Sequence, residues 1–219
     1  MYWNDEEETN SITSPDDKID FVFQLVGKTL PQSYLFGFAH ALQNQIQWWD
    51  DQDDISFHIV IAGEEGNGWF RGNNPEDPIY ISKRNMLVVR APRHLAEKIE
   101  SLKDTGLDVL QHAVILKHKH NKEIKPAPTL YSRYVVCDDK DESSMVEEVV
   151  IQLQKLDIKC KKILCGKERS LNINNKEIIT RSLMLEDLGK EDSIVIQSNG
   201  LGAFQKIGCG VFIPHKSVK

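Results

Sequence analysis

Four glycines fall within eleven residues near the end of this 219-residue chain, Gly200-Leu-Gly-Ala-Phe-Gln-Lys-Ile-Gly-Cys-Gly210, in the pattern G-x-G-x5-G-x-G. Glycine reaches positive φ and lets another backbone or a ligand come close, at an entropic cost that chains otherwise avoid. Two readings fit such a cluster: a tight turn between packed elements, or a backbone-lined cradle for phosphate groups. The spacing excludes the usual nucleotide loops. A dinucleotide fingerprint is G-x-G-x-x-G between a strand and a helix, whereas here the residue three after Gly202 is Gln205 and the next glycine is Gly208. No Walker-type G-x-x-x-x-G-K-S/T occurs either. Val-Phe-Ile-Pro214 follows and reads as a short strand. The pattern therefore predicts a strand at Ser193–Gln197, a glycine loop, and a closing strand at Gly210–Pro214.

Length allows one large domain or two of roughly 100 residues each. No apolar run approaches the ~20 residues that span a bilayer. The acidic start, Met1-Tyr-Trp-Asn-Asp-Glu-Glu-Glu8, lacks the features of a signal peptide. The four cysteines, Cys137, Cys160, Cys165 and Cys209, contain no C-x-x-C pair, which fits free thiols in a reducing compartment better than a zinc site. The expected location is cytoplasmic, with no membrane partner, no metal and no cofactor. Charge is unevenly spread. Residues 1–80 hold 3 of the 27 Lys and Arg but 15 of the 33 Asp and Glu, so the later part carries a positive balance that suits a polyanion.

Taken in order, residues 1–18 read as an acidic arm without fixed structure. Asp20–Val26 is a strand rich in β-formers. Pro31 suits the entry to a helix over about Gln32–Trp48, whose buried stripe is Leu35, Phe38, Leu42 and Ile46. His40 lies off that stripe. Ile55–Ile61 is a second strand that puts His58 opposite Phe57 and Ile59. A long Gly/Pro-containing connection covers 63–78, Ile79–Ile81 is a short strand and Met86–Ala91 a clear one. Pro92–Leu102 is a helix, and Leu107–Lys117 is a strand pair or one kinked strand. The order approximates β-α-β-β-α-β, the ferredoxin-like unit. Lys122–Pro128 is the best boundary, after which the order restarts: a strand at Leu130–Cys137, a helix at Glu142–Leu156, then strands near Lys161–Leu164, Ser170–Ile173 and Ile178–Leu185. The fold class expected is α+β, two tandem ferredoxin-like domains over 19–125 and 129–219, with the glycine-rich loop near the C-terminus.

Several basic residues are candidates for phosphate contact. Lys83, Arg84, Arg90 and Arg93 form one group, with Arg90 inside a strand where an arginine needs a partner, either phosphate or an acidic side chain. Lys167 and Arg169 follow, and Lys206, His215 and Lys216 lie in or after the glycine loop. Histidine is the side chain suited to proton transfer near neutral pH. Of the seven, His94, His112, His118 and His120 read as surface or strand residues and His215 as a phosphate contact, leaving His40 and His58 as candidates.

At this point the residues reach a known family. The tail Gly200–Lys216 resembles the C-terminus of CRISPR-associated repeat-processing endoribonucleases of the branch called MYXAN. So do Val26-Gly-Lys-Thr-Leu-Pro31, Met86-Leu-Val-Val-Arg-Ala-Pro92, Thr129-Leu-Tyr-Ser-Arg-Tyr-Val135, Cys165-Gly-Lys167 and Glu191-Asp-Ser193, in order along the chain. The resemblance implies two tandem ferredoxin-like domains, also described as RNA-recognition-motif-like. It implies metal-independent cleavage of CRISPR precursor RNA within its repeats, by attack of the 2′-hydroxyl beside the scissile phosphate, leaving a 2′,3′-cyclic phosphate. It further implies that the protein stays on the repeat stem-loop and joins other effector-complex subunits. One departure matters: relatives usually carry a histidine just after the Leu-Pro turn, where this chain has Tyr34, a poor base at pH 7. The expected catalytic residues are thus His40, with Tyr34 and His58 as alternates. The expected RNA contacts are the basic residues named above, with Gly200, Gly202, Gln205, Gly208 and Gly210. The alternative is a guide-RNA-binding subunit of the same fold with little or no cleavage.

Overall fold

A computed structural model describes residues 18–61, 77–136, 141–173 and 176–215. The acidic arm up to residue 17, most of the 63–78 connection, Cys137 and Lys216 lie outside the described residues. In chain order the elements are β1 (Lys18–Gly27), β2 (Thr29–Leu30), α1 (Tyr34–Gln45), β3 (Ser56–Val60), β4 (Ile79–Tyr80), β5 (Met86–Pro92), α2 (Ala96–Glu100), β6 (Gly106–Val109) and β7 (His112–Glu123). They continue as β8 (Thr129–Val136), α3 (Glu142–Lys155), β9 (Lys162–Ile173), β10 (Lys176–Glu186), α4 (Lys190–Asn199) and β11 (Ile213–Pro214).

Both halves wind in the same way. The first sheet runs β3-β5-β1-β7-β6 and the second β11-β8-β10-β9, with antiparallel neighbours throughout. In each, the third main strand pairs with the first and the fourth lies on the first strand's other side, the β-α-β-β-α-β arrangement of a ferredoxin-like unit. The chain is therefore an α+β protein of two tandem ferredoxin-like units.

Period-two patterning explains the first sheet. Ile19, Phe21, Phe23 and Leu25 of β1, with Leu87, Val89 and Ala91 of β5, point into one core. Onto it α1 lays Leu35, Phe38 and Leu42, the expected stripe. Gly37 lets α1 lie close on the β6 hairpin, since a Cβ there would stand 2.7 Å from Val109 Cγ1. The opposite face of β1 carries Lys18, Asp20 and Val22, and these are buried as well. A central strand dry on both faces needs a second layer, and the second half supplies it.

The second core forms where Met145, Val149 and Leu153, spaced four apart on α3, meet Leu130, Leu183, Leu185, Ile196 and Phe212. Asp141 starts α3 by accepting a hydrogen bond from the Ser144 amide at 3.2 Å.

Three sequence expectations change, and one pair of alternatives is decided. Ser193–Gln197 is not a strand but the middle of α4. Its three consecutive β-branched residues, Ile194-Val195-Ile196, imitate a strand, while Glu191 and Asp192 in the first turn and Gly200 (φ 66°) just past the end are helix signals. The two strands expected at Lys161–Leu164 and Ser170–Ile173 are one continuous β9, paired along its length with β10. Leu107–Lys117 is the strand pair, joined by a two-residue turn at Leu110 and Gln111 with φ of 51° and 69°. Finally β7 runs to Glu123, into the stretch expected as a linker.

Candidate functional site

Where the halves meet, a cleft of about 710 Å³ opens between β3 and the start of α1 on one side and β8, β11 and the tail on the other. From the first half Tyr34, His58 and Ile59 line it; from the second come Tyr131, Arg133, Tyr134 and His215. Three tyrosines, two histidines and one arginine face a common space, and no carboxylate is among the described lining residues.

Strand β3 presents His58. Its ring is half-buried, and Nδ1 is buried without a hydrogen-bond partner. Burial pushes its pKa down, the Asp20 carboxylate opposes this, and Arg90 and Lys122 add to the drop, leaving it at about 4. At neutral pH the ring is therefore uncharged, the form that can accept a proton. Tyr34 opens α1 and is 4% exposed. From β8, Arg133 donates through Nε to the Tyr134 hydroxyl at 3.0 Å, and its guanidinium carbon lies 5.4 Å from that ring's centre. Arg169 of β9 approaches the same ring at 5.9 Å and donates to the Arg133 carbonyl at 3.4 Å. Tyr131 and His215 hold their rings 5.4 Å apart at 49°.

Tyr34, His58, Gly208 and His215 are thus brought together. His40 is not: it lies exposed on α1 with its ring 5.9 Å from Phe36, away from the cleft lining. Lys83 and Arg84 are exposed in the turn before β5, Lys167 is exposed on β9, and Arg93 pairs with Glu123.

Arg90, expected on phosphate, is a correction. It is 1% exposed and forks onto Asp20, with Nε to Oδ1 at 2.7 Å and Nη2 to Oδ2 at 3.0 Å. Its remaining terminal nitrogen donates to the carbonyls of Gln197 (2.7 Å) and Phe212 (2.9 Å). Beside it, Lys18 donates to the Ser198 carbonyl at 3.1 Å. Two cations therefore close the C-terminal turn of α4, where a helix dipole favours them. Burial raises the Asp20 pKa, but the charge and hydrogen bonds of Arg90 outweigh it and hold the carboxyl below its usual range.

The glycine loop also differs from the expected strand–loop–strand. Gly208 (φ 84°) rests on the first half, where a Cβ would stand 2.5 Å from Leu35 Cδ1 and 3.3 Å from the Phe57 carbonyl. Gly200 and Gly210 (both φ 66°) let the loop close on itself through Leu201 N–H to Gly210 O at 3.1 Å, and Gly210 N–H reaches Tyr134 O at 2.6 Å. Gly202 donates to the Gln152 side chain (2.8 Å), Gln205 donates to Asn199 O (2.8 Å), and Lys206 donates to Asp50 O (3.0 Å) and Asp53 (3.3 Å). Close packing, the bland reading of the glycines, is what these contacts express. Sequence reasoning passed over Tyr131, Arg133 and Tyr134 as site residues. Their signal was an arginine and two tyrosines within four residues of a strand. Among the described residues no group of three or more His, Cys, Asp or Glu is placed to hold a metal ion, and no helix is long and apolar enough to cross a membrane.

The chain is thus an α+β protein of two tandem ferredoxin-like units whose interdomain cleft carries histidine, tyrosine and arginine. This chain belongs to the Cas6 CRISPR family, whose family model matches residues 19–217. It is 22% identical over 198 residues to the "CRISPR-associated endonuclease Cas6" of Myxococcus xanthus (strain DK1622), covering 90% of this chain and 81% of that protein. Among solved structures, "CRISPR associated protein Cas6" superposes with a TM-score of 0.60 at 14% identity, covering 91% of this chain and 99% of the other. "An RAMP protein binding different RNA substrates" gives 0.57 at 13% identity, covering 89% and 98%. At these identities the structural matches speak for the fold.

Proposed function

We propose that this protein is an endoribonuclease that cuts CRISPR precursor RNA within its repeats, in the cleft between the two halves. The observation that carries the reading is the lining itself. An arginine, two histidines and three tyrosines, with no carboxylate among the described lining residues, suit a polyanion with stackable bases. The reaction is attack of the 2′-hydroxyl on the neighbouring phosphorus, with loss of the 5′-oxygen, giving a 2′,3′-cyclic phosphate and a 5′-hydroxyl. It needs a base for the 2′-hydroxyl, an acid for the leaving oxygen and positive charge for the phosphorane oxygens. Uncharged His58 is suited to the first role, Tyr34 to the second and Arg133 to the third. His40 is the remaining histidine candidate. The reaction proceeds without a metal ion, and the product stays on the protein as part of a guide-RNA effector complex.

The second reading, a guide-RNA-binding subunit with little cleavage, draws on the tyrosine at position 34. Incubating repeat RNA with and without chelator, and determining the ends, separates the two. Chelator-insensitive cutting that leaves a cyclic phosphate is expected, with large losses for His58→Ala and Tyr34→Phe. A bound but uncut repeat favours the second reading. A 5′-phosphate product overturns the mechanism, and loss confined to His40→Ala moves the proton chemistry to α1.

A further inference from the structure

Strand β7 presents an exposed row of basic and apolar side chains. Its partners on β1 are Val26 opposite Ile115, Gln24 opposite Lys117, Val22 opposite His120 and Asp20 opposite Lys122. Cross-strand partners share a face, and this one lies opposite the core that holds Phe21, Phe23 and Leu25. Ile115, Lys117, His120 and Lys122 are exposed along it, Lys119 is the extra residue of a bulge between them, and exposed Lys125 follows. The carboxylates alongside are engaged, Asp104 by Lys117 and Glu123 by Arg93. Lys119, Lys122 and Lys125 make no ion pair with the described residues. At the far end Val26 and Ile115 form an apolar pair, 40% and 41% exposed.

One segment of the chain matches this row in charge, order and reach. Residues 1–17 hold six of the 33 Asp and Glu and none of the 27 Lys and Arg, which leaves the rest of the chain at 27 against 27. They precede the range that the family model matches. The segment joins β1 at Lys18, and the next residue, Ile19, stands opposite Glu123, at the lysine end of the row. Followed back from there it reads Asp17 and Asp16, then Glu8 to Asp5, then Trp3 and Tyr2. The row reads Lys125 and Lys122, then Lys119 and Lys117, then Ile115 beside Val26. The stretch from Lys18 back to Glu8 reaches up to about 35 Å, and Lys119 lies about 20 Å from Lys125 along the strand.

We propose that residues 1–17 dock on this row as an intramolecular polyanion, with Asp5–Glu8 at Lys117 and Lys119, and with Tyr2 and Trp3 on Val26 and Ile115. So placed, the segment shields the lysines from other polyanions. The docking does not depend on whether the cleft cuts RNA. Lysines on an open strand edge also discourage pairing between molecules, and that role needs no occupant. β6 pairs only with His112–Ile115, so the edge of β7 is open beyond it among the described residues, and the experiment has to separate the two roles.

The test uses the full chain. Carbodiimide coupling of carboxylates to lysines, mapped by mass spectrometry, should join Glu6–Glu8 to Lys117 or Lys119 at low ionic strength and fail at high. A mixture of isotope-labelled and unlabelled protein should show those links within one chain. Neutralising the acidic run by Asp5→Asn, Glu6→Gln, Glu7→Gln and Glu8→Gln should tighten binding of oligouridine, an unpaired RNA unrelated to any repeat. The expected gain is about 2- to 30-fold, the worth of two exposed ion pairs. With Lys119→Gln and Lys122→Gln already present, the same neutralisation should change affinity by less than about twofold, because the two sets of charges are coupled. Links to lysines elsewhere, links only between chains, or an equal gain in both backgrounds would each overturn the docking. If the lysine substitutions weaken oligouridine binding while the acidic ones change nothing, the row belongs to RNA and the docking is overturned. Absence of both links and gain leaves the lysines as guards of an open edge and overturns it too.

Discussion

Arg90 and Asp20 stand directly opposite each other on the adjacent strands β5 and β1, joined by two parallel hydrogen bonds of 2.7 and 3.0 Å in a buried setting. The pair is one of the points at which the second half is tied to the first, because Arg90 also holds the Gln197 and Phe212 carbonyls. Removing one member of a buried pair leaves the other charge without compensation. Asp20→Ala is expected to cost about 3–5 kcal/mol in urea unfolding. Arg90→Lys should not restore stability, because an ammonium cannot form the two-pronged contact. A cost under about 1 kcal/mol for Asp20→Ala would show that the pair contributes little.

Acid should weaken the protein in two separate windows. His58 has a folded pKa of about 4 against an ordinary 6.5, so the unfolded chain binds more protons between those values. Its contribution to stability is complete above pH 6.5 and is lost as pH falls toward 4, about 3 kcal/mol in all. Asp20, held below 3.8, loses its contribution only at still lower pH. Unfolding midpoints at pH 7, 5.5 and 4.5 should fall, and His58→Phe should flatten that limb. A limb that survives the substitution would place the titration elsewhere.

The four tail glycines should not respond alike. At Gly208 both φ (84°) and space forbid a side chain, and Gly208→Ala is expected to cost about 2–4 kcal/mol. At Gly202 (φ 80°) the nearest atom to a Cβ is Val135 Cγ1 at 3.6 Å, so Gly202→Ala should cost about 1–2 kcal/mol, the conformational part alone. Thermal melts of the two variants decide it; equal losses would refute the packing role of Gly208.

One position should be improvable. Gln111 sits at the second place of the β6–β7 hairpin with φ 69°, where type I′ turns prefer glycine. It is exposed, and Gln111→Gly should raise stability by about 0.5–1 kcal/mol. A lower melting temperature would argue that its side chain has a role the backbone does not show.

The repeated element order was legible because strong local patterns coincided with it: Phe21, Phe23 and Leu25 alternate, and Met145, Val149 and Leu153 recur every fourth residue. Where one stretch carried two signals, the wrong one was easy to read. In Ser193–Gln197 the β-branched run Ile194-Val195-Ile196 hid the first-turn acids and the terminal Gly200 that mark α4. The site was harder. Nothing local to Arg90 tells phosphate from Asp20, since its partners are set by packing between residues 70 and 122 positions away. Likewise His58 and His215 share a cleft only once both sheets are built and docked.

Ile207 belongs to the core of the first half, buried with residues of β1, α1 and β3. A chain made from its N-terminus forward therefore cannot complete that core until residue 207 has left the ribosome. Until then Leu35 and Phe57 lack the tail that covers them. The first half should emerge as a loosened intermediate that sets only when the last segment folds back across it. Such long-range closure is slow and sensitive to truncation. Loss of the tail from Ile207 onward would then be felt in the first core as well as in the second, which holds Phe212.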